Sequence, residues 1–147
     1  GDICDPNFLR QIDEWNFKSF FCSNLLEHLT ERELFCQALT SIIPLHGYLF
    51  ISVPCIYPYH PDPIDTGFRP SVQEIAALFP GTHISRSAVV VGDTILRLRR
   101  KHPVILAFTL MRPLIPFYKP VSWWRNKGYI PWFFRKLSAS CVILKKV

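Results

Sequence analysis

Several absences frame this sequence of 147 residues. Its six glycines are scattered and never form a G-x-G-x-x-G run, which excludes a phosphate-cradling glycine loop within the chain. The five cysteines (Cys4, Cys22, Cys36, Cys55, Cys141) never form a C-x-x-C pair. That argues against a zinc knuckle or a disulfide framework and for reduced thiols in a cytoplasmic protein. No apolar stretch approaches the ~20 residues needed to span a bilayer. The opening GDICDPNF is acidic rather than basic and then apolar, so it does not read as a signal peptide.

The last absence is of one charge. Residues 1–93 carry five basic and all eleven acidic side chains, a balance of −6, whereas residues 94–147 carry twelve Lys or Arg and no acid, a balance of +12. Such polarity within one chain predicts that its two parts face different partners.

What is present fits one domain, long enough to bury roughly 70% of its unfolded surface. Asp5 before Pro6 predicts a capped helix over 6–13. FKSFFC (17–22) and YLFISV (48–53) read as strands buried on both faces. Between them, Thr30 and Glu33 form a T-x-x-E capping box for a helix running to Ile43, with Leu34, Ala38 and Ile42 as its buried stripe. Pro44 and Gly47 end it. A second box, Ser71 and Glu74, opens a short helix to Phe79. Strands follow at 82–91 and 138–146, a pair expected to close antiparallel. The alternation of strand and helix predicts an open α/β sheet.

In this order, GDI (1–3), FFCSNLLEHL (20–29), IIPLHGYLFISVP (42–54), YHPDPIDTGFRPS (59–71) and SCVILKK (140–146) resemble the C-terminal half of class I S-adenosylmethionine-dependent methyltransferases, type-11-like branch. Lys18 and PLHG depart from the family pattern locally, and the family's glycine-rich loop and ribose-binding acid have no counterpart. The resemblance implies a partial Rossmann-like open sheet spanning 1–147, with a basic aromatic insertion over 94–137 before the last strand. It also implies that an N-terminal half or a partner chain supplies the remaining strands, and that this chain alone is inactive. Without them, the strand at 17–22 is expected to show an unpaired apolar edge.

The resemblance assigns S-adenosylmethionine to Asp2 (adenine amino group), the Ile3 amide, and Cys22, Ser23 and Asn24 at a strand's carboxyl end. There, in an open sheet, ligands bind. Methyl transfer is an in-line displacement that needs alignment first and a base only where the acceptor loses a proton. His28 is the candidate base and acceptor contact, and Glu27 orients a loop. Pro54, Tyr59, His60, Asp62 and Arg69 form a proline-stiffened rim, with Arg69 anchoring the loop through an acid such as Asp62. His60, Asp62 and Asp65 alone are too local a set to predict a metal site.

The segment 97–136 interleaves Trp123, Trp124, Trp132 and other rings with Arg and Lys, broken by five prolines. That mixture predicts attachment to a membrane surface by a patch, or a lipid-linked or sugar-phosphate acceptor; nucleic acid is the weaker reading. Taken together, the expectation is the acceptor-side part of a methyltransferase for a small or saccharide-like acceptor. Its rival is a non-catalytic module that binds a membrane or a partner protein through the basic aromatic segment.

Overall fold

The computed structural model describes residues 5–60 and 64–147. Asp5 accepts a hydrogen bond from the Asn7 amide and opens α1 (Pro6–Glu14), as its cap chemistry predicts. Then come β1 (Ser19–Ser23), a single 3₁₀ turn at Leu26–His28, α2 (Arg32–Ile42), β2 (Tyr48–Ile56), α3 (Val72–Ala77) and β3 (Thr82–Thr94). The chain next runs through four short helices: α4 (Ile95–Arg99), α5 (Pro103–Met111), α6 (Pro120–Arg125) and α7 (Ile130–Phe134). It ends in β4 (Lys136–Lys146).

Four strands form one open sheet in the order β1-β2-β4-β3. β1 runs parallel to β2, and β4 is antiparallel to both of its neighbours. The last strand in sequence is therefore interior. On β2, Leu49, Ile51 and Val53 point to one face, where they join Val142 and Leu144 of β4. Against them pack Cys36, Leu39 and Ile43 of the α2 region and Ile75 and Phe79 of the α3 region. Each such side chain, fully buried, contributes about 1.5–3 kcal/mol. Lys146 fastens the same corner, its Nζ donating to the Thr40 and Ile43 carbonyls at the end of α2.

Three local expectations need correction. The Thr30 box does not form: α2 starts after Glu31, with no side-chain capping bond. Instead Arg32 ties the preceding turn, donating to the Leu26 and Leu29 carbonyls and to Thr66 Oγ1. The helix thus begins out of step with a T-x-x-E pair. Its buried residues are Cys36, Leu39 and Thr40; of the expected stripe, Leu34 is 54% exposed and Ala38 half-buried, while half-buried Ile42 does pack against the core. Small Cys36 packs as a hydrophobe against the sheet, and Thr40 hides its hydroxyl on the Cys36 carbonyl. The Ser71–Glu74 box, by contrast, forms completely.

The third correction concerns β1. Only Cys22 is buried in it, and Phe21 is 78% exposed. β1 is an edge strand, and Phe21 lies on the sheet face opposite α2 and α3, over a shallow apolar depression shared with Phe50, Ala88 and Ile143. No described helix covers that depression.

Candidate functional site

At the carboxyl ends of β1 and β2 the backbone turns sharply. Asn24 adopts a left-handed conformation (φ 49°), tolerable for an Asn, and its amide donates to the Ser52 carbonyl at 2.9 Å. The Ser23 and Ser52 hydroxyls bond each other at 2.8 Å. Pro54 lies inside β2, not after it, paired with Ala139 beside the bulge that falls between Pro54 and Ile56. Beyond these ends opens a cleft of about 340 Å³, lined on one side by Asn24, Glu27, His28, Pro54, Tyr57 and His60. Val90, Gly92 and Leu137 to Ala139 form the opposite wall.

Glu27 is the unusual member. It is only 1% exposed, and its Oε2 is buried without a hydrogen-bond partner. An orphaned buried carboxylate oxygen is costly and calls for a functional explanation. Its backbone, by contrast, is well held: the Glu27 carbonyl accepts from both the amide and the hydroxyl of Thr66 at 2.9 Å. Oε1 lies 3.7 Å from His28 Nε2.

His28 Nδ1 bonds the Ile64 carbonyl. A carbonyl only accepts, so Nδ1 carries the proton and Nε2 is left free to take another beside Glu27. The His60 ring stands edge-on to His28 at 5.3 Å and edge-on to Tyr57 at 5.3 Å. Asp65 orients it: Oδ2 lies 3.1 Å from His60 Nδ1 and accepts the His60 amide at 2.9 Å. Both imidazoles are thus fixed by a neighbour, the arrangement expected of groups that move protons.

Asp65 is held in turn. Arg69 grips it through two bonds at 3.0 and 2.6 Å, and the Gly67 amide adds a third at 2.8 Å. Burial pushes the Asp65 carboxyl up, but the Arg69 bonds and the two amides outweigh it and hold the pKa down at about 2. Arg69 therefore anchors the loop, as expected, but through Asp65, and it does not line the cleft. Asp62, like Asp2 and Ile3, lies outside the described residues.

Two further expected residues face elsewhere. Cys22 belongs to the core cluster, where burial first and the Glu27 charge second push its thiol up to about 11. Tyr59 turns toward the β3–β4 segment: buried Asn126 bonds both its amide and its carbonyl, and Arg125 stacks on its ring. Ser23 is exposed at the strand end, and Asn24, His28, Pro54 and His60 meet in the cleft. Tyr57 and the full weight of Glu27 went unseen in the sequence. The Glu-His pair at the end of an apolar run was the available signal.

Glu27, His28 and His60 each bring one ligand atom within 4.8 Å of the others. Two imidazoles and a carboxylate have the chemistry of a proton relay and also that of a divalent transition-metal site. The sequence had argued against a metal, from a different trio of residues.

Two solved structures share this architecture. The crystal structure of coclaurine N-methyltransferase, bound to N-methylheliamine and SAH, matches 88% of this chain at 18% identity with a TM-score of 0.52. The crystal structure of the MccD protein matches the whole chain at 13% identity with a TM-score of 0.56. The chain spans 48% of the first and 66% of the second. No protein-family model and no curated protein matches the sequence. At these identities the likeness establishes the fold, an open α/β sheet of the class I methyltransferase type, and the function rests on the site.

Proposed function

We propose that this chain forms the acceptor side of an S-adenosylmethionine-dependent methyltransferase. The 340 Å³ cleft receives a small or saccharide-like acceptor, and other sequence or a partner chain supplies the glycine-rich cofactor loop. The carrying observation is the buried Glu27 carboxylate, with one oxygen lacking a partner, beside His28 at the carboxyl ends of two parallel strands. Coclaurine N-methyltransferase, of like fold, was crystallised with SAH, which supports the choice of cofactor.

The residues present fit one side of that group. Ser23 and Asn24 sit exposed at the end of β1, and the orphaned Glu27 oxygen belongs to a cleft wall where negative charge suits a sulfonium. Asp2 and Ile3 keep the adenine role that the resemblance implies. When bound, S-adenosylmethionine supplies a methyl group on a positively charged sulfur. His28 Nε2 takes the proton that an acceptor N–H or O–H gives up, and Glu27 stabilises the resulting imidazolium. His60, held by Asp65, orients the acceptor against His28.

Ultraviolet cross-linking of radiolabelled S-adenosylmethionine tests this. Label should fall in the peptide 20–29 and be displaced by S-adenosylhomocysteine; label that no competitor displaces refutes the reading. Calorimetry on this chain alone should show weak binding or none, and micromolar affinity would contradict the division of the site. In the assembled enzyme, His28→Ala and Glu27→Gln should each slow methyl transfer about 100-fold. EDTA should leave it unchanged; loss on chelation would favour the metal alternative.

A second reading has its own observation. Phe117 (91% exposed), Trp124 (77%), Phe108 and Leu114 crowd one segment with Arg125 and Lys119. Large exposed apolar side chains mixed with cations suit a lipid surface. Among the described residues no helix is long and apolar enough to cross a membrane. This reading requires salt-sensitive sedimentation with anionic vesicles. Equal binding to neutral ones refutes it.

A further inference from the structure

A second cleft, of about 280 Å³, adjoins the first and shares Tyr57, His60 and Leu137 with it. Three cations line it, Arg99, Arg112 and Lys119, and no acid does. We propose that it is an anion pocket for a phosphate group carried by the acceptor.

Both arginines are fixed in place before any ligand arrives. Arg99 Nη1 donates to the buried Thr109 hydroxyl at 2.8 Å, and that hydroxyl is itself tied to the Ile105 carbonyl. Arg112 lies over the Tyr129 ring at 4.1 Å and donates to its hydroxyl at 3.0 Å. After these contacts Arg112 Nε remains buried with no acceptor, the only buried side-chain donor so placed among the described residues. A buried N–H of a charged group that lacks an acceptor is costly.

Among the described residues no carboxylate pairs with it. Residues 94–147 contain none, and Asp65 and Asp93 are engaged by Arg69 and Arg97. Cations that merely decorate a surface are solvated on all sides. These share a hollow with Ile95, Leu98 and Phe133, whose apolar walls strengthen attraction for an anion. Guanidinium forks and an ammonium match phosphate oxygens. The volume falls just below the ~300–1,000 Å³ of drug-sized sites, so it suits a phosphate with few attached atoms. The shared wall at His60 then places the rest of the molecule in the first cleft.

The word acceptor rests on the methyl-transfer reading; the anion pocket does not. Binding is therefore measured without cofactor, so that either idea can fail alone. The intact chain is titrated with inorganic pyrophosphate while the Arg Nε–H signals are followed by NMR. In parallel it is sedimented with phosphatidylcholine vesicles with and without phosphatidic acid. Saturable pyrophosphate binding that Arg112→Gln and Lys119→Gln each weaken about tenfold supports a soluble phosphate ester. Binding to phosphatidic acid vesicles alone, with the same losses, supports a lipid-linked phosphate. The exposed Lys119 side chain makes no hydrogen bond or ion pair among the described residues, so Lys119→Gln keeps the test decisive if Arg112→Gln unfolds. No saturable binding in either arm, or equal loss in the outlying Lys101→Gln and Lys127→Gln, overturns the proposal.

Discussion

The part of the molecule from β1 to α3 and the part from α4 to α7 treat their polar groups in opposite ways. In the first, Arg32 spends its donors on the turn before α2 and on Thr66, Asp65 is gripped by Arg69, and Ser71 and Glu74 cap each other. In the second, eight cations and no acids run through residues 95–134, and large apolar side chains such as Phe117 stand in solvent. A sheet with helices on one face gives its neighbours fixed registers, so long-range bonds close. Helices of five to nine residues, interrupted by proline, bury few anchors of their own, among them Thr109, Ser122, Asn126 and Phe133. The first part closes its polar groups and holds Glu27 and His28. The second leaves large apolar side chains in solvent.

Alanine substitution should expose this contrast most strongly. Phe79→Ala, in the sealed core, should cost about 3–5 kcal/mol in urea denaturation, while Phe117→Ala should change stability by less than about 0.5 kcal/mol. Comparable losses would erase the distinction.

Asp65→Asn comes next, at about 3 kcal/mol, because it strands the Arg69 charge in a partly buried site. The same pair sets an acid limit. The folded carboxyl titrates near 2, below the ordinary ~3.9 of the unfolded chain, so the unfolded state takes the proton first. The contribution is complete above pH ~4 and lost as pH falls toward ~2. Denaturation followed across that window should show the loss in the native chain and not in Asp65→Asn.

The smallest effect separates two helix starts with the same motif. Ser71→Ala should cost about 1 kcal/mol, whereas Thr30→Ala should cost almost nothing, since Thr30 caps no helix. Equal costs would mean that α2 is capped through Thr30 after all. Thermal or urea melts of the two variants decide it.

That pair also marks how far the sequence could be read. Asp5 and Ser71 act on amides two or three residues away, and both were legible. Thr30 has the same local chemistry, but Arg32 reaches across 34 positions to Thr66 and shifts the start of α2. The stripe of α2 held only at Ile42 for a related reason, since apolar spacing admits either flank and only the sheet selects the side with Cys36 and Leu39. At the site, the Glu-His pair after an apolar strand and the His60 loop were visible. Not visible were Asp65 as the holder of His60, the turning of Tyr59 onto Asn126, and the walled hollow around Arg112.

The chain's own chemistry settled where strands and two helix caps form, because apolar runs and capping bonds act over a few residues. It settled equally the segregation of charge. Tertiary structure alone decided that β4 enters between β2 and β3, that a carboxylate with one orphaned oxygen is sealed beside an imidazole, and that three distant cations share one hollow. Those outcomes depend on contacts between residues far apart in sequence, whose geometry no local pattern encodes.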